Sequence, residues 1–309
     1  VFVDSSLHSP GTMLVWQCPK AECALTCCLI LHDTGWVSRW PLLALSALTL
    51  GIALQSTIAW VKHSACDAHS VNQWCILLWL LGNWLWTWAE LMWDGDSPVG
   101  LLGRIDFLVS MTDEWYFPVM VAANCLMVPT CAFILTFYLL RFGIGLLCQH
   151  EPTPEEIDAD AGSMDYVLTP CLPLELYYEF FIVPWLVMDS SWGFMNLLDL
   201  RWEHQAQPVL VCSVIAGVAC LLLQCDCLRR YWFAGRRCWR DVAMVVAELL
   251  WVAGNIVWMV CDETTDDVDP EKVVPMFAVG GFFALCATLA PSWNSGTRRR
   301  SIAAPFCAS

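Results

Sequence analysis

Seven stretches of this chain stay apolar long enough to cross a bilayer: about 41–61, 73–93, 115–140, 176–198, 208–228, 241–261 and 273–293. Their lengths match the roughly 20 helical residues that a hydrocarbon core requires. They lack the continuous polar face that a helix on a soluble domain needs. The pattern predicts an all-α, polytopic membrane protein with about seven transmembrane helices. "CALTCCLIL" (Cys23 to Leu31) is apolar but too short to cross, and 22–32 reads as an interfacial or re-entrant piece. "LLGRIDFLVSMT" (101–112) reads as a short amphipathic helix lying on the membrane surface.

The polar residues inside these runs are patterned. "WLLGNWLWTWAE" (Trp79 to Glu90) and "WVAGNIVWMVCD" (Trp251 to Asp262) share W-x-x-G-N-x-x-W-x-x-x-(D/E). "WLVMDSSWGFMN" (Trp185 to Asn196) is a degenerate copy, with Asp189 for the asparagine and Asn196 for the acid. On a helix, positions i, i+4, i+7 and i+11 fall within about 60° of one another and form one stripe. Spans two, four and six cross in the same direction. Asn83, Asp189 and Asn255 are therefore expected at one depth near mid-membrane, with Glu90, Asn196 and Asp262 further out. An aspartate at the bilayer centre costs roughly 2.5–3.5 kcal/mol on insertion scales, so it faces a bundle interior or a wet cavity. The candidate substrate- or ion-binding set is Asp189, Asn83, Asn255, Trp79, Trp86, Trp185, Trp192, Trp251 and Trp258, with Asn124 of span three. The same stripe also reads as a packing seam, in which asparagines act as interhelical glue worth about 0.6–2 kcal/mol. Glu248, and Glu179 beside Tyr177 and Tyr178, read as residues of the inner interface.

Composition supports the membrane reading: of 309 residues 58% are hydrophobic and 15% charged, well under a soluble domain's share. The net charge of −15 excludes a nucleic-acid partner, which a basic surface would be needed to hold. Lys and Arg set the orientation. Five arginines lie in "RRYWFAGRRCWR" after span five and three in "TRRRS" after span seven, on the same side as Lys62 and Arg141. The opposite connections, "WDGDSP" and "CDETTDDVDPE", are acidic. This predicts an N-terminus outside and a cytoplasmic C-terminus, with anionic lipid contacting Arg229 to Arg240.

The resulting partition has an extracytoplasmic N-terminal segment over 1–40 and a first three-helix repeat over 41–140. An acidic cytoplasmic linker covers 141–175 and a linker helix 176–207. A second three-helix repeat covers 208–293 and a basic cytoplasmic tail 294–309. The halves are matched by "WPLLAL" with "QPVLVC", by the shared stripe, and by Pro118 with Pro275. This 3+1+3 plan resembles the SWEET and PQ-loop transporters, in which two parallel triple-helix bundles frame a solute path. The resemblance covers about residues 41–293 and is architectural. The family's proline–glutamine pair is absent, Gln207-Pro208 having the reverse order. Its pocket asparagines would fall on spans three and seven, where this chain has Asn124 and Gly281.

Enzymatic signatures are lacking. There is no G-x-S-x-G, P-loop or dinucleotide fingerprint. All six histidines, His32 included, fall outside the seven spans, which argues against a histidine-held metal and against a base for the serines of "MDSSW". The last span has no lysine for a retinal chromophore. Neither enzyme nor cofactor is expected. The sequence reads as a small-solute transporter or channel, for a neutral or cationic solute, in a lipid bilayer. The alternative is a structural, assembly or receptor-like membrane protein; the oligomeric state is open.

Overall fold

The computed structural model describes residues 18–61, 68–92, 113–147, 180–199, 207–233, 239–264 and 270–289. The segments 101–112 and 151–165, Glu179 and the tail after 289 lie outside the described residues. Eight helices are present among those described: α1 (Cys18–Val37), α2 (Pro41–Val61), α3 (Ala68–Met92), α4 (Asp113–Leu147), α5 (Ile182–Asp199), α6 (Gln207–Phe233), α7 (Trp239–Thr264) and α8 (Pro270–Leu289).

Besides helices in the seven predicted spans, the structure has α1, which the sequence reading did not give as a full helix. The segment read as a short interfacial piece is the core of a 20-residue helix. Ile30, His32, Trp36 and Val37 are buried. Helix α1 ends abruptly, before a three-residue connection. Trp40 N donates to Gly35 O (2.7 Å) and Arg39 N to Trp36 O (2.9 Å), while Arg39 takes the left-handed conformation at φ 51°. This is a Schellman closure with arginine in the place usually given to glycine.

Each helix packs on the next in sequence, and α8 packs on α1, so the eight form a closed ring. Neighbours run antiparallel. Gln55, late in α2, meets Gln73, early in α3; Gln224, late in α6, meets Glu248 in the first half of α7; and Cys23, early in α1, clusters with Ala287 near the end of α8. The odd-numbered helices lie inside and run parallel to one another. The even-numbered ones lie outside and turn Leu42, Leu50, Phe133, Leu139, Ile215, Leu222, Phe282 and Leu289 outward. An apolar belt of this extent suits lipid rather than water. Among the described residues five helices are long and apolar enough to cross a membrane: Pro41–Trp60, Ser70–Met92, Glu114–Leu140, Pro208–Arg229 and Val242–Asp262. These helices fit a multi-pass membrane protein.

The two motif glycines sit where an inner helix meets its outer neighbour. A Cβ at Gly82 would fall 2.5 Å from Met127 Cγ of α4, and one at Gly254 2.5 Å from Phe277 Cε1 of α8. Glycine here allows close approach between helices, as small residues do in membrane bundles.

Candidate functional site

Four parallel inner helices present four stripes to one axis. Three are the stripes of α3, α5 and α7 already described. The fourth is "LILHDTGWVSRW" (Leu29 to Trp40) of α1, with Leu29, Asp33 and Trp36 in the corresponding places.

Along the axis the stripes build successive levels. At the end where the odd helices begin lies a cavity of ≈ 300 Å³. Its wall includes Glu22, Thr26, Gln55, Asn72, Gln73, Gln224, Arg240 and Glu248, and its floor Leu29, Trp185 and Trp251. Glu248 Oε2 accepts from Gln224 Nε2 at 2.9 Å, and Arg240 Nη2 donates to Cys23 Sγ at 3.5 Å. Arg240, expected to face anionic lipid, thus turns into the cavity, and Glu248, read as interfacial, belongs to its wall.

Trp79, which does not line the cavity, packs on the floor tryptophans: its ring centroid is 4.3 Å from that of Trp185, and Trp185 and Trp251 are 4.9 Å apart. Leu29 holds the fourth place. Beyond the floor lies a polar level of Asp33, Asn83, Asp189 and Asn255, all buried. Asp33 is saturated with partners. Its Oδ2 accepts from Trp251 Nε1 (2.5 Å) and Asn255 Nδ2 (3.0 Å). Its Oδ1 is 2.7 Å from His32 Nδ1, and His32 Nε2 is 2.9 Å from Thr87 Oγ1 of α3. The other side of the level is open: Asn83 Oδ1, Trp79 Nε1 and Trp185 Nε1 are buried without hydrogen-bond partners. Buried polar atoms in folded proteins are nearly always paired, and these three unpaired atoms stand beside the buried carboxyl of Asp189.

The next level is a pinwheel of one tryptophan from each inner helix. Successive ring centroids are 5.0 Å (Trp36–Trp86), 5.3 Å (Trp86–Trp192), 5.0 Å (Trp192–Trp258) and 5.0 Å (Trp258–Trp36), at interplanar angles of 84–89°. Edge-to-face contact is a preferred aromatic geometry, worth about 0.5–1.5 kcal/mol per pair beyond burial. The closed ring of four seals the axis. Below it Glu90 gathers the far ends: Trp36 Nε1 donates to Oε2 (2.9 Å), Trp86 Nε1 to Oε1, and Asn196 Nδ2 to Oε1 (3.3 Å).

Nine of the ten sequence-predicted residues therefore share this axis: Asp189, Asn83, Asn255, Trp79, Trp86, Trp185, Trp192, Trp251 and Trp258. Asn124 does not. Its amide donates to Met120 O (3.0 Å) and across to Gly193 O (3.1 Å), tying α4 to α5 at the periphery. His32, which the sequence reading left outside the spans, is fully buried and meets Thr87 of α3. Asp33, His32 and Trp36 were missed with α1 itself. The available signal was the D-x-x-W step of "LILHDTGW", hidden because leucine replaces the leading tryptophan. Among the described residues no group of three or more His, Cys, Asp or Glu side chains converges as metal ligands would.

Comparison with known proteins adds no family: no family model, no curated protein and no solved structure matches this chain.

Proposed function

We propose that this chain moves a small neutral or cationic solute along the axis of its inner helices. The observation that carries the reading is the order of the levels. A polar cavity leads through a tryptophan floor to unpaired hydrogen-bonding atoms and a buried carboxyl, and a tryptophan ring closes the path beyond. A mid-membrane site reached from one face and sealed from the other is the arrangement that alternating access requires. Asp33, Asp189, Glu22 and Glu248 outnumber Arg240 on the way, which favours a cation, and indole faces hold cations as well.

The SWEET and PQ-loop resemblance contributes the transport class to this proposal. The path proposed here runs between four inner helices rather than between two triple-helix bundles. On this proposal all eight helices cross, so that, unlike in the seven-span orientation, the start of α1 shares the cytoplasmic face of the arginine-rich connections with the end of α8, and the cavity opens inward.

A thermal-shift screen of neutral and cationic solutes identifies the ligand. In proteoliposomes Asp189→Asn then abolishes its uptake while the melting temperature stays within a few degrees of the parent's. Undiminished uptake by this variant rules the reading out. A second reading, a non-transporting assembly or structural subunit, is favoured by the hydrogen bonds on Asp33, which make that half of the level a helix-locking seam. On that reading the same screen finds no solute.

A further inference from the structure

We infer that the cavity at the head of the axis binds a small zwitterion of the ω-amino-acid type, with Arg240 holding its carboxylate and Glu248 its ammonium. As the identity of a cargo this rests on the transport reading; as a binding site it does not.

Both charged groups have bonding capacity left over. Arg240 and Glu248 come from one helix, α7, and line one cavity of ≈ 300 Å³. Glu248 Oε2 accepts from Gln224 Nε2 (2.9 Å), and its Oε1 accepts from no described residue. Glu22, the other acid of the wall, is already partnered, so Glu248 is the acid with an open oxygen. A guanidinium has five N–H donors and a permanent charge. Arg240 uses one of them, at 3.5 Å, on the thiol of Cys23. It forms no ion pair among the described residues, although Glu22 and Glu248 both act electrostatically on the same Cys23. The unused fork of such an arginine suits a carboxylate brought by a ligand, which it can hold by two parallel bonds. A plain cation would leave this guanidinium unpaired, so the ligand needs an anionic end as well.

The distance between the two ends follows from the parallel inner helices. Leu29 of α1 and Trp251 of α7 hold corresponding places at the floor. Three residues earlier in each helix, Thr26 stands level with Glu248, and three further back is Cys23. At about 1.5 Å per residue, the guanidinium held at Cys23 lies about 5 Å further from the floor than Glu248. An α-amino acid carries both charged groups on one carbon and does not span this step. A short methylene chain does. Leu25, Ile76 and Ile182, from three inner helices, line the cavity at and just beyond the Glu248 level and give such a chain an apolar wall. The floor indoles of Trp185 and Trp251 lie about one turn past Glu248, and aromatic rings attract an ammonium. The cavity is at the small end for ligand sites, which limits the chain to a few methylenes.

The test is calorimetric titration of the purified full-length protein in detergent, against protein-free micelles. δ-Aminovalerate carries its charges at the two ends of a chain, and norvaline is its isomer with both on one carbon. Pentylamine lacks the carboxylate and pentanoate the ammonium. δ-Aminovalerate should bind at least about ten-fold more tightly than each of the other three, since a hydrogen bond to a charged group is worth that factor or more. Arg240→Gln should erase its advantage over pentylamine, and Glu248→Gln its advantage over pentanoate. Norvaline or pentylamine binding equally well overturns the inference, as does an advantage over pentylamine that survives Arg240→Gln. Failure of δ-aminovalerate to bind overturns it too, including the case where ethanolamine phosphate, a lipid head group with the same charge pair, binds instead. Where a variant fails to fold, the comparison of probes on the unaltered protein decides. Uptake into proteoliposomes separates this site from the transport reading. Binding of δ-aminovalerate without uptake of any solute keeps the site and ends that reading. Uptake of another solute by a protein that does not bind δ-aminovalerate does the reverse.

Discussion

Asp33 and Asp189 hold the same place on two inner helices, yet their surroundings differ. Asp33 is held by His32, Trp251 and Asn255. Asp189 has no hydrogen bond among the described residues and sits at a level where Asn83 Oδ1, Trp79 Nε1 and Trp185 Nε1 are also unpaired. Four similar stripes thus yield one half that is internally satisfied and one that is not. Repetition of a motif sets where side chains stand, while the residue at each place decides whether they lock helices or leave room for a ligand. On α1 the aspartate faces donors from α7, and Leu29 replaces a tryptophan that would itself have needed an acceptor.

The comparison can be broken at its strong side first. Asp33→Ala strands Trp251, Asn255 and His32 together, and loss of one partner from a buried network of this kind costs about 3–5 kcal/mol. Unfolding in mixed micelles measures it, and a loss below about 1 kcal/mol would make the two halves equivalent. A smaller contrast lies in the pinwheel. Trp36→Phe and Trp192→Phe remove similar ring area, but only Trp36 donates to a carboxylate, whereas Trp192 Nε1 has no partner. Trp36→Phe should be the costlier by about 0.5–1.5 kcal/mol, the net worth of a typical hydrogen bond. The smallest effect belongs to the open side. Asp189→Leu removes a buried acid that locks no helices together, and should leave stability within about 0.5 kcal/mol of the parent or raise it, even as it abolishes uptake.

Much of the inner ring was legible in the sequence, for a physical reason. The stripes of α3, α5 and α7 lie in long apolar runs, so Asn83, Asp189 and Asn255 stand out and their shared spacing puts them at one depth. Helix α1 was not legible for the complementary reason. Hydropathy reports the surface a helix shows to lipid, and α1 shows little, being enclosed by α2, α8, α3 and α7. A helix sheltered by protein can carry His32 and Asp33 because neighbours supply their partners, and those residues erase the apolar run that would announce it. Asn124 illustrates the opposite error. Its depth in span three resembles that of the other asparagines, but its role is fixed by Gly193 O on another helix, a contact that no local pattern encodes. The acids at the far end were placed at the correct end of their helices, while the convergence of Trp36, Trp86 and Asn196 on Glu90 depends on ring closure.

That closure has a topological consequence. Because α8 rests on α1 as each helix rests on its successor, the bundle has no first or last wall. Cys18 and Leu289 stand at the same end of the ring, in line with the clustering of Cys23 and Ala287. The order of the polypeptide is then one of several routes around the same circle. A chain that began at α3, bridged α8 to α1 and finished at α2 would enclose the same axis, with the break moved to the α2–α3 connection and every seat of the pinwheel still filled.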